Sequence, residues 1–203
     1  MQLKQRILGL VLALSLAVGL GVPARAADTG AEQSYEKAAA FTVEALPAPK
    51  VSSIGGECAV IGLCRVDAAA PEGYYQTYYA ALEGYTAQRG GVLHEKKYTE
   101  HSRAILAVTA LGRDARDVAG HDLTLPLGDY DKTVWQGVNG PIWALIALDS
   151  RNYPMPQNPQ AKTQATRQMY VDRILSRQLS DGSWSLSGEG SGDVDVTAMA
   201  LQA

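Results

Sequence analysis

Apolar residues recur at intervals of three and four in segment after segment of this chain, and clusters of Gly, Pro and Asp separate the segments. The strict alternation of a half-buried strand is nearly absent, so the pattern predicts an all-α fold. Helices are expected over 31–46, stopped by Pro47 and Pro49, then over 54–66, 73–89 and 99–111. A weak helix over 129–136 precedes one over 140–149, a seventh spans 161–179, and an eighth starts near Asp195. The eighth is unfinished at Ala203, the pattern of a piece of a longer protein or of a truncated gene.

The second, fourth, sixth and eighth segments align without gaps. Ala59, Ala107, Ala144 and Ala200 form one column, spaced 48, 37 and 56 residues apart. Cys58, Leu106, Trp143 and Met199 form the column beside it. These four segments are rich in Ala and Gly and apolar nearly all round, which predicts burial on every side. The segments before them carry more charge (Glu36, Lys37, Glu83, Arg89, Arg167, Asp172, Arg173, Arg177) and suit an outer layer. A hairpin of outer and inner helix repeated about four times implies a solenoid or a ring of helix pairs, and buried inner helices favour the ring. The expected architecture is a partial (α/α) toroid, an incomplete α/α barrel. A glycine turn joining outer to inner helix recurs at Arg89-Gly90-Gly91-Val92 and Asp181-Gly182-Ser183-Trp184.

Composition changes this picture at the N-terminus. Lys4 and Arg6, an apolar run over 7–22 and Ala24-Arg25-Ala26 make the tripartite layout of a secretory signal peptide over 1–26. An outer-helix segment over 27–50 and a repeat domain over 51–203 follow. Removing the leader takes away three bases and no acid, so the net charge moves from −3 to −6. A mildly acidic chain without Lys/Arg clusters argues against nucleic acid and anionic membranes as partners, and no second apolar run is long enough to span a bilayer. Cys58 and Cys64 fall six residues apart on one predicted helix, with a rise of about 9 Å that forbids a bridge between them. They read as free thiols in the core. His94, His101 and His121 show no zinc-type spacing with them.

Several motifs resemble a known superfamily. Gln178-Leu179-Ser180-Asp181-Gly182-Ser183-Trp184 resembles the glutamine-to-tryptophan repeat of squalene and hopene cyclases, with Gln178 tying the outer helix end and Trp184 packing over the glycine turn. Asp193-Val194-Asp195-Val196-Thr197-Ala198 is similar to the acidic motif of class II terpene cyclases. It is equally similar to the helical-barrel domain of intrinsic factor and transcobalamin, and protein prenyltransferase β-subunits share that toroid. Leu93 to Glu100, Asp129-Tyr130-Asp131-Lys132 and Trp135 to Asp149 look like exported bacterial proteins, mainly from Firmicutes, that carry prenyltransferase and squalene-oxidase-type repeats. The resemblance covers roughly 51–203.

What it implies about function divides three ways. A cyclase would use Asp195 as general acid beside Asp193, but Val196 stands where the family keeps a third acid. No prenyltransferase zinc pattern is present. The residues themselves favour capping, because Asp195, Asn139 and Ser102 share one column and all are cap formers. Parallel inner helices would gather their N-termini at one end of a central cavity, making Glu57, His101, Asn139, Asp193 and Asp195 a candidate ligand-binding rim. Trp143 could face that cavity or the hairpin interface. Trp135 and Trp184 read as packing wedges, the Tyr74, Tyr75, Tyr78 and Tyr79 cluster as hairpin packing, and Asp129 as the cap of the weak helix. The expected function is non-catalytic binding or scaffolding by a secreted or surface protein. Its partner would be a small amphipathic ligand or a cell-surface protein, and a corrinoid is what the intrinsic-factor resemblance implies. No metal or other cofactor is expected.

Overall fold

A computed structural model describes residues 29–66 and 69–203, so the leader over 1–26 lies outside the described residues. The chain divides into two compact units, 1–38 and 39–203. Of the first, the described part is the opening of helix α1 (Thr29–Ala45), where the Ser34 hydroxyl donates to the Gly30 carbonyl at 2.7 Å. The second unit is all-α, with no strand among the described residues.

Its helices are α2 (Ile54–Arg65), α3 (Tyr74–Gln88), α4 (Thr99–Ala110), the single turn α5 (Tyr130–Thr133), α6 (Asn139–Asp149), α7 (Arg167–Leu175) and α8 (Val194–Gln202). Helix α2 packs on α4, α4 on α6, and α6 on α8, so the four aligned segments lie side by side in chain order. Their shared Ala column explains the close packing: Ala59, Ala107 and Ala144 are buried, and Ala200 packs against the same core. Tyr78, Tyr79 and Leu82 of α3 and Tyr170 and Ile174 of α7 close that core from the outside. Ala39 and Val43 at the end of α1 pack with Leu63 and Tyr74, and the Tyr74 hydroxyl donates to the Leu46 carbonyl at 2.8 Å.

Two glycines allow the chain to cross the inner helices closely. A Cβ on Gly56 would land on the Lys50 carbonyl, and one on Gly140 on the Thr133 carbonyl. In the turn before α8 the outer helix end is held by Trp184, and the Gln178 side chain closes the turn itself. Gln178 Nε2 donates to the Gly182 carbonyl at 2.9 Å, Gly182 takes a φ of +87°, and Trp184 is buried with its indole N–H on the Ile174 carbonyl at 2.7 Å.

Four expectations are corrected. The seventh helix spans nine residues rather than 161–179, because Thr166 caps it and the stretch before it is held extended. There Gln164 pairs with Asp129, and its side chain bonds the Asn158 amide and the Pro156 and Ala165 carbonyls. The weak helix over 129–136 splits into α5 and a 3₁₀ turn (Val134–Gln136), although Asp129 does cap it, accepting from the Lys132 amide at 3.1 Å. Trp135 is no wedge: it is 60 % exposed, with the Lys96 ammonium over its ring. The inner helices are not buried on every side, since Cys58, Gly62 and Arg65 of α2 are exposed.

Candidate functional site

That exposed side is a groove of about 620 Å³. Its floor is the column Cys58, Leu106, Trp143 and Met199, one residue from each inner helix. One turn on, Ile61, Thr109, Ile146 and Gln202 continue it, with Gly62 and Ala110 beside them. Arg65, Asp149 and Ser150 form the far wall. Each helix contributes the same register positions, as parallel neighbours do, so the groove runs along their C-terminal halves.

The floor is apolar and soft (thioether, thiol, indole, branched aliphatics), and the polar groups stand at the helix C-termini. Asp149 is already engaged, its Oδ1 at 2.6 Å from Arg167 Nη1. Arg65 has no ion-pair partner among the described residues, and its charge suits the negative end of α2. Partial desolvation on the groove floor pushes the Cys58 thiol up, and the Arg103 charge pulls the other way. Both cysteines are free, as their spacing requires. Cys58, however, lies on the groove and not in the core.

The loops after α4 and α6 tie this end together. Tyr153 accepts from the Ala115 amide at 3.0 Å and its hydroxyl lies 3.2 Å from that of Thr109. Arg151 donates to the carbonyls of Gly112 and Arg113 at 3.2 and 3.0 Å.

None of the five residues expected at a binding rim lines the groove; of the expected ligand-binding residues only Trp143 does. Glu57 is buried, and its two oxygens accept from the amides of Ser52 and Ser53 at 2.7 and 2.9 Å and from the Tyr78 hydroxyl at 3.3 Å. Arg103 approaches it at 4.0 Å while pairing with Glu100 at 2.6 Å. Burial raises the Glu57 pKa, against the pull of the Ser52 amide and Arg103, and drives the Tyr78 hydroxyl up strongly. His101 is also fully buried. It accepts from the Leu93 amide at 3.1 Å, and burial holds it neutral with a pKa pushed down to about 3.

The capping column is shifted by the structure. Asp193, not Asp195, caps α8, accepting from the Val196 amide at 2.9 Å. Asp195 is exposed in the first turn, outside the groove. Asn139 is the first residue of α6 and makes no cap bond; its buried Oδ1 has no partner. Together with Gln136, Gly137, Leu186 and Ser187 it lines a shallow recess. Ser102 sits inside α4, its hydroxyl on the Tyr98 carbonyl at 3.5 Å. The N-terminus of α4 takes its side-chain acceptor from elsewhere: Gln136 Oε1 receives the Thr99 amide at 3.1 Å.

The groove floor was visible in the alignment as a column of Cys, Leu, Trp and Met beside a column of Ala. Large residues next to invariably small ones are the signal that one face packs and the other does not. No group of three or more His, Cys, Asp or Glu side chains is assembled for a metal among the described residues, and no helix there is long and apolar enough to cross a membrane. No family model, curated protein or solved structure matches the chain.

Proposed function

We propose that this chain is an exported, non-catalytic binding protein, an arc of an α/α toroid that holds a small amphipathic molecule in the groove along its inner helices. The observation that carries the reading is convergence: the same register positions of four separate helices form one apolar trough. Its volume lies within the range of small-molecule sites. An apolar floor with a polar mouth suits a ligand with an apolar body and one hydrated end. A corrinoid is one candidate occupant, on the resemblance of the α8 segment to intrinsic factor. The layout of residues 1–26 supports export, and the Gln178–Trp184 turn supports the toroid reading.

A pure scaffold has no use for a trough with an indole on its floor. A cyclase has no support either. An acid that protonates an alkene must be kept neutral in an apolar cavity, whereas Asp195 stands in water outside the groove.

The test is titration with anilinonaphthalene sulfonate and with cyanocobalamin, followed by fluorescence and by thermal unfolding. Saturable binding of at least one probe, weakened by Trp143→Ala, is expected. Absence of saturation with both, or binding indifferent to Trp143→Ala, contradicts the reading.

A further inference from the structure

A smaller cavity, of about 180 Å³, opens among the loops of the second unit and shares no lining residue with the groove. All the residues around it fall between Gly90 and Gln160. Its walls are fixed by contacts of their own. Val118 and His121 pair through both backbone N–H groups, at 2.9 and 3.0 Å. The His121 imidazole lies against Gly91, where an added Cβ would meet Nδ1 at 3.1 Å. The loop over 156–160 is held by the Gln164 side chain, which bonds the Pro156 carbonyl and the Asn158 amide at 2.9 Å each.

Three charged residues line this cavity: Asp122, Asp129 and Lys132. Asp129 is only 4 % exposed. Its Oδ1 caps α5, whereas Oδ2 carries no hydrogen bond among the described residues and is not sealed in protein, which leaves it to the cavity. A carboxylate so buried and half-partnered is costly unless something completes it. Asp122 repeats the arrangement: Oδ1 accepts from the Thr124 amide and hydroxyl at 2.8 and 2.6 Å, and Oδ2 has no partner among the described residues. The positive charge stands apart. Lys132 is three residues from Asp129, yet no ion pair joins them, and its ammonium lies 5.9 Å from the centre of the Tyr98 ring. Asn158 Oδ1 is taken by the Gln160 amide at 2.9 Å, so its side-chain NH₂ is left to donate.

We propose that this cavity binds a free α-amino acid by its zwitterionic end, the ammonium on Asp129 and Asp122 and the carboxylate on Lys132 and Asn158. Charges of opposite sign that line one small cavity without pairing suit a ligand that carries both. A simple cation would meet Lys132 and a simple anion two carboxylates, so each is repelled by part of the site. The cavity is smaller than the roughly 300 Å³ at which drug-sized sites begin, which keeps the ligand to amino-acid size.

Thermal unfolding with each common α-amino acid at about 10 mM, then calorimetric titration of those that stabilise, tests this. At least one is expected to raise Tm and bind saturably. Removing one of its charges, as the amide or the N-acetyl derivative, should weaken binding at least about tenfold. Two variants assign the poles, with circular dichroism checking that each keeps its helices. Lys132→Met, at an exposed position, should weaken the parent amino acid about tenfold and leave its amide unchanged. Asp129→Asn keeps an Oδ1 to cap α5, and it should weaken the parent and the amide but not the N-acetyl derivative. Lys132→Met and the two derivatives decide the matter even if Asp129→Asn fails to fold. Stabilisation by no amino acid overturns the proposal. So does an amide or N-acetyl form that binds as tightly as the parent, and so do losses that ignore the matching charge.

Discussion

The two ends of the inner helix row have opposite chemistry. At the N-terminal end stand the residues that look functional: Glu57 with Arg103 and Glu100, His101, and the Asp193 cap. Nearly all are engaged, mostly with backbone amides that the helix starts and crossing segments would otherwise leave unpaired. At the C-terminal end the floor is aliphatics, a Cys, a Trp and a Met, with Arg65, Asp149 and Ser150 on the wall, and that is where four helices leave an open trough. Polar side chains at the helix starts secure the fold, and the floor of the open groove is made mainly by apolar ones left without a neighbour.

Breaking the polar end should cost most. Glu57→Ala leaves two amides, a tyrosine hydroxyl and part of the Arg103 charge without a partner, and urea unfolding should register a loss of about 3–5 kcal/mol. A wild-type-like midpoint would show that the cluster is not holding the helix starts.

His101 adds a pH dependence of known sign. Its folded pKa lies below the ordinary 6.5, at about 3. The unfolded chain therefore takes up a proton that the folded chain refuses. Stability is full above 6.5 and falls by about 1.4 kcal/mol per pH unit below it. Glu57 cannot produce this loss. Its folded pKa is raised, so its contribution is present in acid and fades as pH rises through the folded value. Unfolding measured from pH 6.5 downward should lose its slope in His101→Gln, and an unchanged slope would assign the effect elsewhere.

Gly140→Ala is expected to cost about 1–3 kcal/mol, since the new methyl meets the Thr133 carbonyl. The smallest effects separate two neighbouring acids. Asp193→Ala should cost about 1 kcal/mol as a lost cap, and Asp195→Ala less than about 0.5 kcal/mol as a surface change. Equal effects would restore the shared capping column.

The helices were legible because their periodicity is strong, and the order of the inner row followed from an alignment that needs no gaps. The site was legible only in part. Polar residues at helix starts suggested a rim, but a polar side chain beside free amides satisfies them before it can serve a ligand. That holds for Glu57 and His101. The floor column was in view, yet helices apolar all round do not reveal which side lacks a neighbour; that depends on how α2, α4, α6 and α8 lie together. Trp135 was misjudged for a related reason, since its position before a glycine corner does not say whether anything packs above it.

The groove itself can be tested without disturbing the fold. Gly62 lies in its wall, inside α2, and a Cβ there meets nothing within 4 Å. Gly62→Leu puts a branched side chain into the trough and replaces a poor helix former, raising stability by about 0.5–1 kcal/mol. Calorimetric titration of that variant with whichever of the two probes binds the unaltered chain should show stability kept or raised and binding lost at least about tenfold, a difference of about 1.4 kcal/mol. A variant that is stable and binds the probe as tightly as the unaltered chain would place the ligand elsewhere and contradict the groove as the binding site.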